Sequence, residues 1–235
     1  MDMPATPLRL LITGFGPFPG ILKNSSEAFA PLLAYRVANH LPNLQTACAI
    51  LPTEWQAAPH LLCRLLDELQ PHLCLHFGVQ GGAKGLVLET IARNHAGDKL
   101  DAAGLAPPSV MLQTGAPHML LPAVGPGCLL GQALRQGLPV AASVNGGDYV
   151  CNALFFHSLL AARRHAQPDG RRRLVAFLHL PVRVGGAGLA EDDALNANAM
   201  ALDAALAGSL SVLGAMADQL LAPATSVGMG LAPAE

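Results

Sequence analysis

The sequence predicts an α/β fold, a three-layer α/β/α sandwich around an open, twisted, mostly parallel sheet. Three observations predict it. Short apolar runs alternate with longer segments of helical periodicity, the pattern of strands joined by crossover helices. The run at 174–180 is continuously apolar, as expected of a strand covered on both faces. Of the 235 residues, 51% are hydrophobic and only 13% charged. That composition suits a compact domain with a sizeable core, not a disordered or fibrous chain.

Each element follows from local chemistry. Residues 8–12 make the first strand and end in the turn-rich TGFGPFPG. Asn24, Ser25, Ser26 and Glu27 are capping residue types, placed before an apolar-periodic helix that reaches Ala38. A strand at 46–51, a helix at 55–69 and a strand at 73–77 come next, with a further strand over 86–93. A less regular, proline-rich stretch from 97 to 126 is expected to decorate the surface. The alternation then resumes with a helix at 129–136, a strand at 140–144, a helix at 149–164 and the strand at 174–180. Helical periodicity runs over 190–221, interrupted by Gly208 and Gly214. No internal repeat or interdomain linker is visible, so residues 1–222 are read as one domain. Residues 223–235, rich in Ala, Pro and Gly, are expected to be a flexible tail.

Several function classes lose support at this level. The formal net charge is −2, with no basic excess to attract a phosphate backbone, so no nucleic-acid partner is expected. Arg171 to Arg173 follow Pro168-Asp169-Gly170 and read as a solvated turn. The opening MDMPATPLRLLITGF passes straight into a core strand, unlike a secretory leader. The apolar segment between Asp203 and Asp218 is too short to span a bilayer, so no membrane partner is expected. Five cysteines without CxxC spacing argue against a disulfide framework, and a cytoplasmic location is the simplest home.

Sites in such sheets collect where strands give way to loops. Four loops qualify: TGFGPFPG, GVQGGAKG, SVNGGDYVCN and HLP. Between them they bring Cys151, His179 and Glu89, a thiol, a base and a group to orient the base. With Asp148 as the N-cap, Cys151 falls in a first helical turn whose free N–H groups favour a thiolate, while the Asp148 carboxylate opposes it. Loop amides from Gly147 to Cys151 offer oxyanion donors. Bland readings stand beside these. Cys151 can be a small core residue, His179 a structural histidine between leucines, and Glu89 a partner of Arg93 or Lys99. His72, Cys74 and His76 alternate on one strand face and could ligate zinc, but no further ligand cluster supports a metal. GVQGGAKG has neither GxGxxG order nor a GK[ST] ending, so no nucleotide cofactor is implied.

Taken together the loops resemble the pyroglutamyl peptidase I (pyrrolidone-carboxylate peptidase) family of cytosolic cysteine peptidases. Four blocks align in order: GFGPF with Asn24-Ser25-Ser26, GVQGGAKGLVLETIARN, SVNGGDYVCN and FLHLP. The resemblance covers roughly residues 8 to 215, and the third block is its most specific part. It implies Cys151 as nucleophile, His179 as base and then acid, and Glu89 as the group that orients the imidazole. It also implies an apolar slot for the lactam ring walled by Phe15 and Phe18, with Tyr149, Val150 and Asn24 in the same region. The expected substrates are peptides with an N-terminal pyroglutamate, cleaved without cofactor or metal; the resemblance also allows a homo-oligomer, since tetramers are common in the family. Three positions depart from the family pattern: Ala83 and Thr90 where arginine is usual, and Lys99 in place of a second arginine. Two other readings remain: a related hydrolase or phosphorylase of nucleosides or small amides, and a homologue that binds pyroglutamyl peptides with little or no cleavage.

Overall fold

A computed structural model describes residues 7–41, 43–164, 167–185 and 199–222. The strands are β1 (Leu8–Phe15), β2 (Leu44–Leu51), β3 (Leu73–Val79), β4 (Leu86–Glu89), β5 (Ala92–Arg93), β6 (Met119–Leu120), β7 (Val140–Ser143), β8 (Leu174–Leu180), β9 (Arg183–Gly185) and β10 (Ala199–Ala201). The helices are α1 (Ser25–His40), α2 (Ala57–Leu69), α3 (Pro126–Arg135), α4 (Val150–Arg164) and α5 (Leu202–Leu221). Six strands form the central sheet in the order β2-β1-β3-β8-β4-β7. All its neighbours are parallel except β4 and β8.

Strand pleating sorts the apolar runs into two cores. Leu73, Leu75 and Phe77 of β3 and Leu174, Ala176 and Leu178 of β8 pack with Phe29 and Leu33 of α1, Leu129 of α3 and Met216 of α5. Cys74, Val175 and Phe177 point the other way, onto Leu62 and Leu66 of α2 and Phe155 of α4. Helices therefore cover both faces, giving the three-layer sandwich. Full burial of Phe77, Phe155 and Phe177 stabilises the fold by about 1.5–3 kcal/mol per side chain.

The sequence reading needs correction in four places. The first strand runs on to Phe15, because the α1 start packs tightly against it. An added Cβ at Gly14 would land on the Ser26 carbonyl, and the Phe15 amide donates to Ser26 Oγ at 3.0 Å. The strand expected over 86–93 is broken. Thr90 turns its amide (2.9 Å) and hydroxyl (2.8 Å) onto the Ser143 carbonyl, and the chain then pairs as β5 with β6. The helix expected from residue 190 begins at Leu202, after β10; residues 186–198 lie outside the described structure, as do 223–235. Finally, α5 is 20 residues long and holds an 18-residue stretch with a mean hydropathy of 1.4, enough by length and composition to cross a membrane. In the fold it is a core helix that buries Ala205, Leu206, Val212, Leu213 and Met216. Gly208 does not interrupt it but lets it close on the sheet, since a Cβ there would sit 2.6 Å from Leu86 Cδ1.

Candidate active site

The reversed strand sets the site. The antiparallel ladder places Val87 opposite His179, so Glu89, two residues on and on the same face, lies diagonal to the imidazole. His179 Nδ1 is 2.9 Å from Glu89 Oε1. An ionised carboxylate only accepts, so Nδ1 carries the proton and Nε2 is left for chemistry. In the parallel ladder with β3, Gly78 stands opposite His179. The space its missing side chain leaves is filled by Cys151. A Cβ at Gly78 would lie 2.8 Å from Cys151 Sγ and 3.1 Å from His179 Cδ2. Gly78→Ala is therefore expected to push thiol and imidazole apart. Activity should fall about 10- to 100-fold while circular dichroism keeps the wild-type spectrum, because displacement near 1 Å at a reacting centre is enough for such a loss. Wild-type rates in this variant would show that the two groups need no such approach.

Cys151 is the second residue of α4, in the first turn, where amides lack intrahelical acceptors and the helix dipole favours an anion. Asp148 is not the cap. The helix starts at Val150, with the Ala153 amide bonded to the Tyr149 carbonyl at 3.2 Å. The Asp148 carboxylate instead lies 3.8 Å from Lys99 Nζ, so part of its opposing charge is offset. Gly146 and Gly147 both have φ of 69°, a left-handed pair that only glycine adopts freely. This turn brings the Gly146 amide to Glu89 Oε2 at 3.2 Å.

Electrostatics follow from these contacts. Burial disfavours ionised Glu89, yet hydrogen bonds from His179, Ser143 and the Gly146 amide win and hold its carboxyl below the usual range. Burial likewise disfavours a charged His179, but the Cys151 and Glu89 side chains outweigh it and raise the imidazole to about 9. Neither Arg93 nor Lys99 is the partner of Glu89: Arg93 Nε donates to the Asn145 carbonyl at 2.7 Å. A thiol, a cationic imidazole and a carboxylate thus form one chain.

These groups open on a cavity of about 590 Å³ lined by Phe18, Ile21, Tyr149, Cys151, Glu89 and His179, among others. Of the five residues expected at the lactam (Phe15, Phe18, Asn24, Tyr149 and Val150), only Phe18 and Tyr149 line it, with ring centroids 5.5 Å apart. Phe15, expected beside Phe18, does not line the cavity; Tyr149 stands beside Phe18 there instead. Phe15 shares the strand parity of Leu11 and is fully buried in the α2/α4 core. Val150 is also fully buried there. Asn24 caps α1, accepting from the Ser26 amide at 3.1 Å and donating to the Gly16 carbonyl at 2.9 Å. It shapes the Phe18 loop from behind. Asn152 escaped the sequence reading, although a polar residue in an apolar helix start signals a satisfied buried group. It bonds the Arg93 amide (2.8 Å) and the Arg93 and His95 carbonyls (2.9 Å each), fixing the chain after Glu89 to the start of α4.

The departures and rival motifs also find places. Ala83 is buried in the turn after β3, its amide 3.1 Å from the Gln80 carbonyl, and Thr90 is spent on Ser143. His72 Nδ1 accepts from the Arg9 amide and Nε2 meets Asp169, while His76 is held between Thr13 and Ser158 at 2.8 Å on each side. Burial pushes His76 down to about 3, so it is neutral. Both histidines spend their ring nitrogens on protein partners, and among the described residues no group of three ligating side chains is placed to hold a metal.

A thiol, an imidazole and a carboxylate at one cavity of a three-layer α/β scaffold define the class, a hydrolase of the cysteine-peptidase kind. A family model described as pyroglutamyl peptidase matches residues 8–218; the chain belongs to that family. Among its relatives, the pyrrolidone-carboxylate peptidase of Gloeobacter violaceus is 29% identical over 175 residues, 74% of this chain and 82% of the relative. That of Pyrococcus furiosus is 26% identical over 180 residues, 74% and 81% of the two chains. The fold is shared with solved structures. A mutant pyrrolidone carboxyl peptidase from Pyrococcus furiosus superposes with a TM-score of 0.77 at 22% identity, covering 91% of this chain and all of the other. Pyroglutamyl peptidase I of Bacillus amyloliquefaciens gives 0.72 at 23% identity, over 89% and 97%.

Proposed function

We propose that this pyroglutamyl peptidase removes an N-terminal pyroglutamyl residue through Cys151, His179 and Glu89. The observation that carries the reading is the 2.9 Å bond from His179 Nδ1 to Glu89, with Cys151 at the other edge of the ring and an aromatic slot beside it. The lactam ring is flat and uncharged, so Phe18 and Tyr149 can hold it without a charged counterpart. Cys151 Sγ attacks the carbonyl that joins the ring to the next residue, and amides from Gly147 to Cys151 receive the oxyanion. As the carbon–nitrogen bond breaks, the proton on His179 Nε2 passes to the leaving amine, and a thioester remains. Water attacks the thioester and gives its proton to His179. Free pyroglutamate departs and the thiolate returns. Asn24 and Thr53 keep the Phe18 loop in place from outside the cavity, both donating to the Gly16 carbonyl. Phosphorolysis has little to recommend it: Lys99 is the one Lys or Arg among the described lining residues, and Asp148 faces it. All five cysteines are unpaired, in keeping with a reducing cytoplasm.

The test is hydrolysis of L-pyroglutamyl-aminomethylcoumarin with and without iodoacetamide. The wild-type chain should release coumarin, and the first equivalent of reagent should stop it and appear on Cys151 in the peptide map. Two of the exposed competing thiols, Cys48 and Cys63, are handicapped as nucleophiles, and the peptide map separates Cys151 from the exposed Cys128. Burial raises Cys48 to about 11, and burial with Asp67 raises Cys63. Full activity after carbamidomethylation of Cys151 would remove it from the mechanism.

A further inference from the structure

The wall of the slot is held from behind by a carboxylate that never reaches the cavity. Asp101 is only 2% exposed. Its Oδ2 accepts the Trp55 amide at 3.0 Å, and its Oδ1 accepts the Ala103 and Leu105 amides at 2.9 Å each. One side chain therefore joins the turn before α2 to the strap formed by residues 97–105. Trp55 extends the connection. Its indole N–H donates to the Lys99 carbonyl at 3.0 Å, and its ring meets Tyr149 edge-on at 5.4 Å and 83°. Tyr149 in turn donates its hydroxyl to the Leu100 carbonyl at 3.1 Å and faces Phe18. The Gly97 amide closes the circuit on the Asp148 carbonyl at 2.7 Å. Lys99, Leu100, Tyr149 and Phe18 all line the cavity; Trp55 and Asp101 do not.

We propose that Asp101 is a positioning residue for the lactam slot, acting through Trp55 to fix the Tyr149 ring and the strap at residues 99–100. A buried carboxylate that accepts three backbone amides cannot be replaced by an amide side chain without turning a donor toward at least one of them. Asp101→Asn therefore frees one end of the strap. Tyr149 then loses its fixed edge contact before substrate arrives, and ordering it is charged to binding. Cys151, His179 and Glu89 hang on α4, β8 and β4, and the hydrogen bonds of Asp101 and Trp55 go to the strap and the turn before α2 and to none of these three side chains, so the chemical step is spared. The proposal rests on the pyroglutamyl slot assigned above.

Trp55 is the only tryptophan in the chain, so its emission reports on the circuit without reference to turnover. In the wild-type protein, titration with 5-oxoproline should change the emission saturably, at the concentration that inhibits hydrolysis. For Asp101→Asn, KM for the coumarin substrate should rise about tenfold with kcat within about threefold, and the emission titration should shift by the same factor. Trp55→Phe keeps an aromatic ring but loses the bond to Lys99, and should raise KM about three- to tenfold with the same preserved kcat. It decides the matter if Asp101→Asn does not fold. An unchanged KM in a folded variant, or kcat falling as far as KM rises, would overturn the proposal. So would inhibition by 5-oxoproline with silent wild-type emission. Absence of wild-type hydrolysis would strike instead at the slot assignment itself.

Discussion

Replacing Cys151 with alanine is expected to lower kcat/KM for a pyroglutamyl amide by about 10⁴- to 10⁶-fold, the scale seen when a covalent nucleophile is removed. The expectation comes from geometry. Cys151 lies in the first turn of α4, and its Sγ shares the space opposite Gly78 with the His179 ring. An alanine leaves no group to form the thioester, and water attacking directly lacks a fixed position. The side chain is partly exposed, so little packing is lost and the melting temperature should stay within a few degrees of wild type, which separates lost chemistry from lost structure. Cys151→Ser tests the same point more finely. A hydroxyl of similar shape is far harder to ionise, so no stable anion forms beside the imidazolium and activity should fall by about 10³-fold or more. Both variants should also let His179 titrate lower than about 9, because Cys151 is among the groups that raise it. Nitrogen shifts of the imidazole would show this directly. More than about one hundredth of wild-type activity in the alanine variant, on the same scale, would sink the nucleophile assignment.

How far the sequence reveals this site depends on whether its signals are local. The strand parity of β8, the apolar helix α4 and the short loops around them are written in neighbouring residues, and so are the types of Cys151, His179 and Glu89. Direction is not. The run from Leu86 to Glu89 is equally apolar whichever way it runs, and only the fold shows that β4 opposes β8. That reversal is what brings Glu89 to His179. Phe15 is a different case. The family resemblance puts it in the slot, and taking the first strand to end at Ile12 hides the fact that Leu11, Thr13 and Phe15 share one face. With the strand carried on, alternation alone buries it, and Phe18 lies past Gly16 and Pro17 in the small bridge to Ile21. Asp101 and Trp55 could not be found from spacing. Their bond spans 46 residues, and the proline-rich stretch that carries Asp101 has no periodicity to place it. Read as surface decoration, that stretch in fact supplies Lys99 and Leu100 to the cavity wall.

Glu89→Gln is the second large effect, and its signature is in the pH profile as much as in the rate. The carboxylate fixes the His179 tautomer through Nδ1 at 2.9 Å. A glutamine can turn its NH₂ toward that nitrogen, which then accepts, places the proton on Nε2 of a neutral ring and spoils the base. A loss of about 10²- to 10⁴-fold in kcat is expected, the range covered by positioned general bases and their orienting groups. On the proposed mechanism the cationic imidazole of the wild type must hold its proton until the amine leaves. The alkaline limb of kcat/KM therefore follows His179 near 9, and the limb should move down in the variant because one of the groups that raises it is gone. Stability carries the same sign. His179 titrates above its ordinary 6.5 when folded, so its contribution is complete below about 6.5 and is lost as pH rises through about 9. Glu89 titrates below its ordinary 4.5, so its contribution is present above about 4.5 and is lost as pH falls through the lowered value. The pair thus stabilises the fold most between those two ordinary values. Denaturant midpoints of the wild type should decline from pH 6.5 to 9, and those of Glu89→Gln should decline less. Parallel curves for the two proteins, or an alkaline limb that does not move, would mean that Glu89 and His179 are neighbours without being coupled.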